Sequence, residues 1–438
     1  MKKPILLLVI TFLFACHSDN QKVEEDLIKK TALENLEKYR ENIEKYTEFL
    51  ELHAADSILA DTKRRKLKDN QGHLNDDVDD FNESLEIEIK FEIVYRNRAK
   101  ARIILGDYLG AYADINNAIE LNPKIAESYS IRGVLRIQYG YYKSALADLE
   151  KALDLNPQLA SAYINRSTLK RELKDFNGAL SDIEKAIELD PQYAIAYGNR
   201  GFVKALLGDH ANGLLDIEKS IELNPYLAGT YNLKGIIQYE IEDYQGSLLS
   251  QDRALELNPF LADAYFQKGK IKYVLGEIEE SIELYNKAIE LNPKFFYAYI
   301  SRGYSWIKIE NYQKALSDFN TAIELNPYQP KVYTLRGMAR MFEFKNMQEA
   351  ITDFHKAIEF DPEIYETYKV KGMAYSFLSE DRLALNAFNK AIQLNPNSGE
   401  LYYQRSSVKF NLGNITGACN DLAKAIELGH AEAIELCK

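Results

Sequence analysis

A repeat of 34 residues constrains this chain more than any other feature of its sequence. The hexapeptide AIELNP at 118–123 returns with small changes, and its prolines are 34 residues apart except for one interval of 35. These prolines are Pro123, Pro157, Pro191, Pro225, Pro259, Pro293, Pro327, Pro362 and Pro396. Because the residue before a proline is pushed out of helical geometry, each copy predicts the end of a helix and a turn. A fixed period of this length predicts stacked helix pairs.

Comparison of ten units, the first beginning at Glu92, shows which positions are restricted. The eighth residue is always small, as in Ala99, Gly133 and Ser167. The fourth residue is tyrosine in all ten units: Tyr95, Tyr129, Tyr163, Tyr197, Tyr231, Tyr265, Tyr299, Tyr333, Tyr368 and Tyr402. Small residues on facing helices allow two backbones to approach closely, while the tyrosine fills the space beside them.

The period, the small eighth residue and the closing Asn/Asp-Pro resemble the tetratricopeptide repeat (TPR), with Tyr at a position where that family prefers Trp. The resemblance implies an all-α fold, an α-solenoid in which helix-turn-helix repeats form a right-handed superhelix. Ten units occupy 92–429, and 58–91 align as a degenerate unit without the tyrosine. Residues 16–57 are assigned to an N-terminal helical linker or cap, and 430–438 to a C-terminal capping helix, since solenoids need polar ends.

One pair of positions varies together. The seventh residue is Arg in seven units, and those same seven carry an Asp on the second helix. The pairs are Arg98–Asp114, Arg132–Asp148, Arg166–Asp182, Arg200–Asp216, Arg302–Asp318, Arg336–Asp353 and Arg405–Asp421. In the other three units the basic residue is Lys and the Asp is absent. This predicts a bidentate ion pair within each repeat, using guanidinium geometry that Lys cannot match. The alternative is a basic ladder that holds an anionic ligand.

Composition narrows the function. The formal net charge of −12 opposes binding to nucleic acid. The six histidines and three cysteines show no metal-ligand spacing, and no nucleotide-binding or hydrolase motif occurs. We therefore expect no enzyme activity, no cofactor, no metal and no small-molecule substrate. An enzyme with an unrecognised site is the alternative, although the repeats leave no room for a catalytic domain.

The first residues have the pattern of a secretory signal. Lys2 and Lys3 precede ten mostly apolar residues, too few to span a bilayer. LFAC, ending at Cys16, resembles the lipobox of bacterial lipoproteins, which implies a signal peptide over 1–15 and lipid attachment, palmitate included, at Cys16. Two or more acyl chains give stable membrane residence. A lipid-anchored protein of the cell envelope is expected, with the outer membrane favoured because His17 is not the Asp of inner-membrane retention. The alternative is a plain signal peptide with an incidental cysteine.

Two further expectations concern the ends of the chain. Leu36, Tyr39, Ile43, Tyr46 and Leu50 form an apolar stripe at helical spacing, which predicts a helix that caps the solenoid or, alternatively, a short intermolecular coiled coil. Cys419 and Cys437 lie on opposite sides of the last turn, at separations that suit a disulfide outside the cytoplasm. Two buried thiols are the alternative.

In the TPR family the first helices line a concave groove that receives peptides. The residues that face this groove have fixed positions in each repeat, and the resemblance assigns the same positions in this chain. The groove residues are Phe202, Leu206, Ile236, Tyr239, Phe266, Lys270, Tyr273, Tyr297, Tyr304, Lys308, Met338, Met341, Phe342, Met373 and Phe377, extended by Tyr403 and Phe410. Aromatic and Met side chains suit adaptable recognition of protein segments. Some of these residues would instead pack against neighbouring helices. The expected function is a membrane-anchored scaffold for protein or peptide partners; the alternative is an outer-membrane assembly factor or a chaperone-like holdase.

Overall fold

The protein consists of paired helices. Its structure, a computed structural model, describes residue 34 and residues 37–53, 74–343 and 346–435. Side chains are described for residues 34, 37–53, 89–343 and 346–433. Every regular element within these ranges is an α-helix, so the predicted all-α class is confirmed. No helix among the described residues has both the length and the apolar character that crossing a bilayer requires.

The first helix, α1, covers residues 37–52. The others are α2 Leu74–Ile104, α3 Tyr108–Leu121, α4 Ala126–Gln138, α5 Tyr142–Leu155, α6 Ala160–Glu172, α7 Phe176–Leu189, α8 Ala194–Leu206, α9 His210–Leu223, α10 Ala228–Glu240, α11 Tyr244–Leu257, α12 Ala262–Val274, α13 Ile278–Leu291, α14 Phe296–Lys308, α15 Tyr312–Leu325, α16 Pro330–Phe342, α17 Met347–Phe360, α18 Tyr365–Phe377, α19 Asp381–Leu394, α20 Gly399–Asn411, α21 Ile415–Glu427 and α22 Ala431–Glu435.

From α2 to α21 the helices form ten hairpins, each a first helix followed by a second helix. Contacts also recur between the first helices of successive hairpins, as between α4 and α6 or α8 and α10. Where these contacts occur, the first helices therefore lie on the inner side of the stacked hairpins. The chain divides into two compact units, which we call unit 1 (Met1–Gln267) and unit 2 (Lys268–Lys438).

The Asn-Pro turn that ends each hairpin has a specific chemistry. After α5, the Asn156 side chain accepts a hydrogen bond from the backbone N–H of Gln158, at 3.0 Å. The hydroxyl of Tyr163, the invariant tyrosine of the next unit, donates to the carbonyl of Pro157 at 3.3 Å. Equivalent tyrosine contacts occur in three other repeats. The Asn/Asp stabilises the turn through a side-chain hydrogen bond, and the tyrosine ties the next hairpin to it.

The small eighth residue marks where the two helices of a hairpin are closest. A Cβ atom added to Gly201 would lie 2.4 Å from the carbonyl oxygen of Gly213 on the facing helix. In unit 2 an aromatic ring occupies the equivalent space, and a Cβ on Gly337 would lie 2.5 Å from the ring of Phe354. That ring is fully buried. Glycine is needed at these positions because any side chain would separate the helices.

One predicted boundary is absent. The degenerate unit at 58–91 was expected to end in a turn before Glu92, yet α2 runs without a break from Leu74 to Ile104. The segment around residue 91 contains no proline or glycine, so nothing stops the helix there. The predicted first helix of that unit falls mostly within 54–73, outside the described residues.

Candidate functional site

The seven Arg–Asp pairs form bidentate contacts between the two helices of one repeat. Arg166 donates from Nε and Nη2 to the two carboxylate oxygens of Asp182, at 2.9 and 2.6 Å. The carboxylate is buried and the guanidinium group is largely covered. The same two hydrogen bonds occur in the other six predicted pairs. The predicted pairing within one repeat is therefore the one observed.

A second cation reaches most of these aspartates, and the sequence analysis missed it. Lys204, four residues after Arg200 on the same helix face, lies 2.7 Å from the carboxylate of Asp216. Equivalent contacts of 2.6–2.8 Å are Arg102–Asp114, Arg136–Asp148, Lys170–Asp182, Arg340–Asp353 and Lys409–Asp421. In the seventh repeat this position is Trp306, so Asp318 has no such cation. Comparing the eleventh residues of the units with their aspartates would have revealed the correlation.

The pKa values of Asp216 and Asp318 are shifted in opposite directions. Burial acts to raise the pKa of Asp216, but hydrogen bonds from Arg200 and Lys204 outweigh it and hold that pKa below its ordinary value. At Asp318 burial outweighs the hydrogen bond from Arg302, and the pKa is raised.

The arginines also join neighbouring repeats. Nη1 of Arg132 donates to Oδ1 of Asn116 in the preceding repeat at 3.0 Å, and three other units repeat this contact. The guanidinium carbon lies 5.5 Å from the ring centroid of Tyr129, within the range of cation–π contacts. In the other six repeats with an Arg–Asp pair, the guanidinium carbon lies 5.2 to 5.7 Å from the ring centroid of the tyrosine in the same repeat. These guanidinium groups serve the repeat structure, and an anionic ligand would have to compete with a buried carboxylate.

In unit 1, most predicted groove residues are half-buried on the first helices. The ring of Phe202 lies under the guanidinium group of Arg171, at 5.3 Å. Ile236, Tyr239 and Phe266 are half-buried, whereas Leu206 is exposed. The inner face of unit 1 therefore offers a mixed surface, apolar rings flanked by polar groups.

The helix α1 lies against this same unit. Near its end, the hydroxyl of Thr47 accepts a hydrogen bond from Nη1 of Arg98 at 3.1 Å. At its start, Arg40 lies over the ring of Phe260, 5.6 Å from the centroid, and Tyr39 borders a cavity lined by first-helix residues. The segment assigned to a linker or cap thus contacts α2 at one end and the fifth and sixth repeats at the other.

In unit 2, the predicted groove residues divide into exposed and covered groups. Tyr297 and Phe377 are well exposed, as is Phe410. The half-buried group comprises Lys270, Tyr273, Tyr304, Met338, Phe342 and Met373, with Tyr403 beside them; Lys308 is exposed. Burial raises the pKa of Tyr304, and the nearby Tyr273 and Glu366 add to the shift.

Met341 was predicted to line the groove and does not. It is buried in a cluster with Ala350, Phe354 and Val370, because it lies on the side of α16 that faces the second helix. The resemblance assigned Met341 by its position in the repeat alone. Phe410 has the same position in its own repeat and is exposed, so this position does not by itself decide whether a side chain faces the groove.

Cys419 is exposed. Cys437 and Cys16 lie outside the described residues, so the disulfide and the lipid anchor stay predictions. No cluster of His, Cys, Asp and Glu suited to a metal occurs in the part of the chain that the structure describes.

Paired antiparallel helices that repeat through both units define the class, an α-solenoid. Five of the repeats match family models of the tetratricopeptide repeat: one model matches residues 262–295, and another matches 126–159, 160–193, 365–398 and 399–428.

Several solved structures are similar to the chain. YrrB, described as a TPR protein with an unusual peptide-binding site, is 26% identical over 41% of this chain and 92% of its own, with a TM-score of 0.36. A TPR protein from Parabacteroides merdae is 20% identical over 56% of this chain and 96% of its own, with a TM-score of 0.45. Yeast Tom70 is 17% identical over 88% and 94%, with a TM-score of 0.40. No functionally curated protein matches the chain.

Proposed function

We propose that this chain is a non-catalytic TPR scaffold and that the inner face of unit 2 binds a segment of a partner protein. Exposed aromatic side chains on three first helices carry the proposal. Tyr297 on α14, Phe377 on α18 and Phe410 on α20 are 61, 59 and 63% exposed. Large rings left open along one side of a folded surface usually mark a binding site, and aromatic residues dominate the energetics of protein interfaces.

The remaining side chains of this face define the chemistry of the partner. Met338 and Met373, on the first helices α16 and α18, are half-buried, and a thioether side chain adapts its shape to different ligands. Lys308 on α14 and Lys331 on α16 are exposed, whereas Lys369 is paired with Glu400 at 3.0 Å. A segment with apolar anchors and one or two acidic residues would fit this arrangement.

The test replaces the three exposed rings with glutamate (Tyr297→Glu, Phe377→Glu and Phe410→Glu) in the full chain. The matched control is Leu383→Glu, since Leu383 is also exposed, at 45%, but lies on the second helix α19. Affinity purification from the native envelope, followed by mass spectrometry, should recover partners with the wild type and the control. The triple variant should lose them while its thermal melt is unchanged.

Equal recovery with all three proteins would contradict the proposal. If the wild type instead suppressed aggregation of an unrelated protein, and the triple variant did not, the face would act as a holdase surface.

We further propose that the scaffold is tethered to a membrane of the cell envelope, with the outer membrane favoured, through lipid on Cys16. The basic start, the short apolar stretch and the LFAC sequence support this tether. A Cys16→Ser variant should move from the membrane fraction to the soluble fraction, whereas a Cys419→Ser control should not. A Cys16→Ser protein that stayed with the membrane would rule out the tether.

A further inference from the structure

The helix α1 has two distinct faces. Its covered side chains recur every three or four residues, whereas those between them are exposed: the covered ones are Tyr39, Asn42, Ile43, Tyr46, Thr47, Phe49, Leu50 and His53. Leu50 is only 9% exposed, but Leu52 is 74% exposed. Tyr39, Ile43, Tyr46 and Leu50 of the stripe that the sequence predicts are covered, whereas Leu36 lies outside the described residues. The helix α1 therefore docks as an amphipathic helix.

The covered face of α1 meets the inner side of unit 1. The ring of Phe49 lies 5.6 Å from that of Phe91 on α2, next to the Thr47–Arg98 hydrogen bond. At the other end Arg40 covers Phe260. A helix lying on first-helix residues occupies the surface where the repeats would receive a peptide in helical form.

The fit of α1 is loose at its start. A cavity of about 700 Å³ lies beside Tyr39, bordered by Ile195, Tyr226, Arg171 and Asp263. The cavity is open to solvent, and a volume of this size is typical of a ligand site. The inner face of unit 1 therefore holds more space than α1 fills, with a cation and a carboxyl group at its border.

We propose that α1 is a displaceable intramolecular ligand, and that the inner face of unit 1 binds an amphipathic helix from a partner protein in its place. Tyr39 and Arg40 indicate the chemistry of that helix. It carries an aromatic side chain large enough to enter the cavity, a cation next to it that lies over Phe260, and apolar residues one and two turns later. This surface is separate from the aromatic face of unit 2.

The test uses a fluorescent peptide of residues 37–53 and the full chain. Leu50→Asp should release α1, because it places a charge on the covered face; Ile43→Asp is a second release variant. Leu52→Asp is the matched control, with the same change on the exposed face. Circular dichroism checks that the repeats stay folded, and hydrogen exchange reports whether amides 39–50 lose protection.

The peptide should bind both release variants and should bind the wild type and Leu52→Asp at least about tenfold more weakly. The difference arises because a tethered segment competes at an effective concentration of roughly millimolar. Among peptide variants, Tyr39→Trp should tighten binding by roughly threefold because it fills more of the cavity. Arg40→Glu should weaken binding by roughly threefold through loss of the cation–π contact.

Three outcomes would overturn the proposal. The peptide could fail to bind either release variant although the repeats remain folded. It could bind the wild type as tightly as the release variants, which would mean that α1 does not occupy the face. Finally, the wild type could be a stable dimer that Leu50→Asp dissociates, which would assign the face to α1 of a second copy. All three readouts leave the unit 2 aromatic residues unchanged, so they are independent of the proposed partner face.

Discussion

The buried aspartates are the residues on which the helix pairs most depend. A buried carboxylate is unfavourable unless it is paired and hydrogen-bonded. The planar guanidinium group of Arg166 meets both oxygens of Asp182, and Lys170 adds a third contact at 2.8 Å. Lys in place of Arg would supply charge but not the paired geometry, which explains why Arg and Asp occur together in the sequence.

We predict that Asp182→Ala lowers the free energy of unfolding by about 2 kcal/mol, because it leaves Arg166 and Lys170 partly buried without their acceptor. The matched control is Glu188→Ala, which removes an exposed ion pair with Lys185 of 2.9 Å. It should cost less than about 0.5 kcal/mol. Urea denaturation followed by circular dichroism measures both, and equal losses would show that the buried pair adds nothing beyond a surface contact.

Asp216 and Asp318 should respond to pH with opposite signs. The pKa of Asp216 is lowered on folding, so its stabilisation is present above about pH 4 and is lost as pH falls through the folded-state pKa. The pKa of Asp318 is raised, so its ionisation destabilises the fold as pH rises from about 4 through the folded-state pKa. Melting temperatures from pH 3 to 7, relative to Asp216→Asn and Asp318→Asn, should therefore diverge in opposite directions. Parallel curves would contradict this account.

Sequence comparison was effective for the Arg–Asp pairs because ten copies of one unit sample the same environment ten times. It missed the second cation because the eleventh residue of the repeat is Arg, Lys, Gln, Trp or Tyr in different repeats. Only the correlation of this residue with the aspartate is informative. Met341 was misassigned for a different reason. The position of a residue in the repeat gives only the approximate direction of its side chain, and the Met341 side chain packs against the second helix of its own hairpin.

At the scale of single helices, the distance between the two members of a hairpin is set by the eighth residue. Where Gly201 faces Gly213, the contact is between backbones, and no side chain can move aside. Where glycine faces an aromatic ring, as at Gly337, the ring fills the space. The same repeat thus accommodates either a backbone or an aromatic ring against its eighth residue.

We predict that Gly201→Ala lowers the free energy of unfolding by about 1–3 kcal/mol, because the new methyl group would push against the carbonyl of Gly213. Gly229→Ala is the matched control on another first helix, where nothing lies within 4 Å of the new methyl group. It should stabilise the protein by about 0.5 kcal/mol through higher helix propensity. Chemical denaturation measures both, and a neutral Gly201→Ala would show that the close approach is not limiting.

Helix boundaries were predictable wherever Asn-Pro or Asp-Pro occurs, because the proline and the side-chain hydrogen bond of the turn act locally. The boundary predicted at residue 91 rested only on alignment with the other repeats. The helix α2 continues through this residue because no local signal ends it there. The apolar stripe of α1 was likewise readable, but its docking partners lie up to about 220 residues away, on repeats whose curvature the sequence does not specify.

At the scale of the whole molecule, stability is distributed along the stack. Within each unit, contacts between helices join neighbours or next neighbours in the chain, which makes each repeat depend on those beside it. The arginine contacts to the preceding repeat, such as Arg336 to Asn320 at 2.8 Å, strengthen that dependence.

We predict that Asp353→Ala in unit 2 loosens its surroundings and not the array at large. Hydrogen exchange should increase in α15 to α18, the helices that form or contact the altered hairpin, and remain unchanged in α13 of the same unit. Exchange that rose equally in α13 would show that unit 2 opens as one cooperative body.

The single 35-residue interval shows how such a chain can vary in evolution. Its extra residue falls between Phe342 and Met347, inside a hairpin turn. Arg336 and Asp353 are consequently 17 residues apart instead of 16, yet their two hydrogen bonds, 3.0 and 2.6 Å, are kept. Insertions at these turns leave the junctions between hairpins intact, and so would duplication or deletion of an entire hairpin. A lineage could thus change the number of repeats without redesigning any junction.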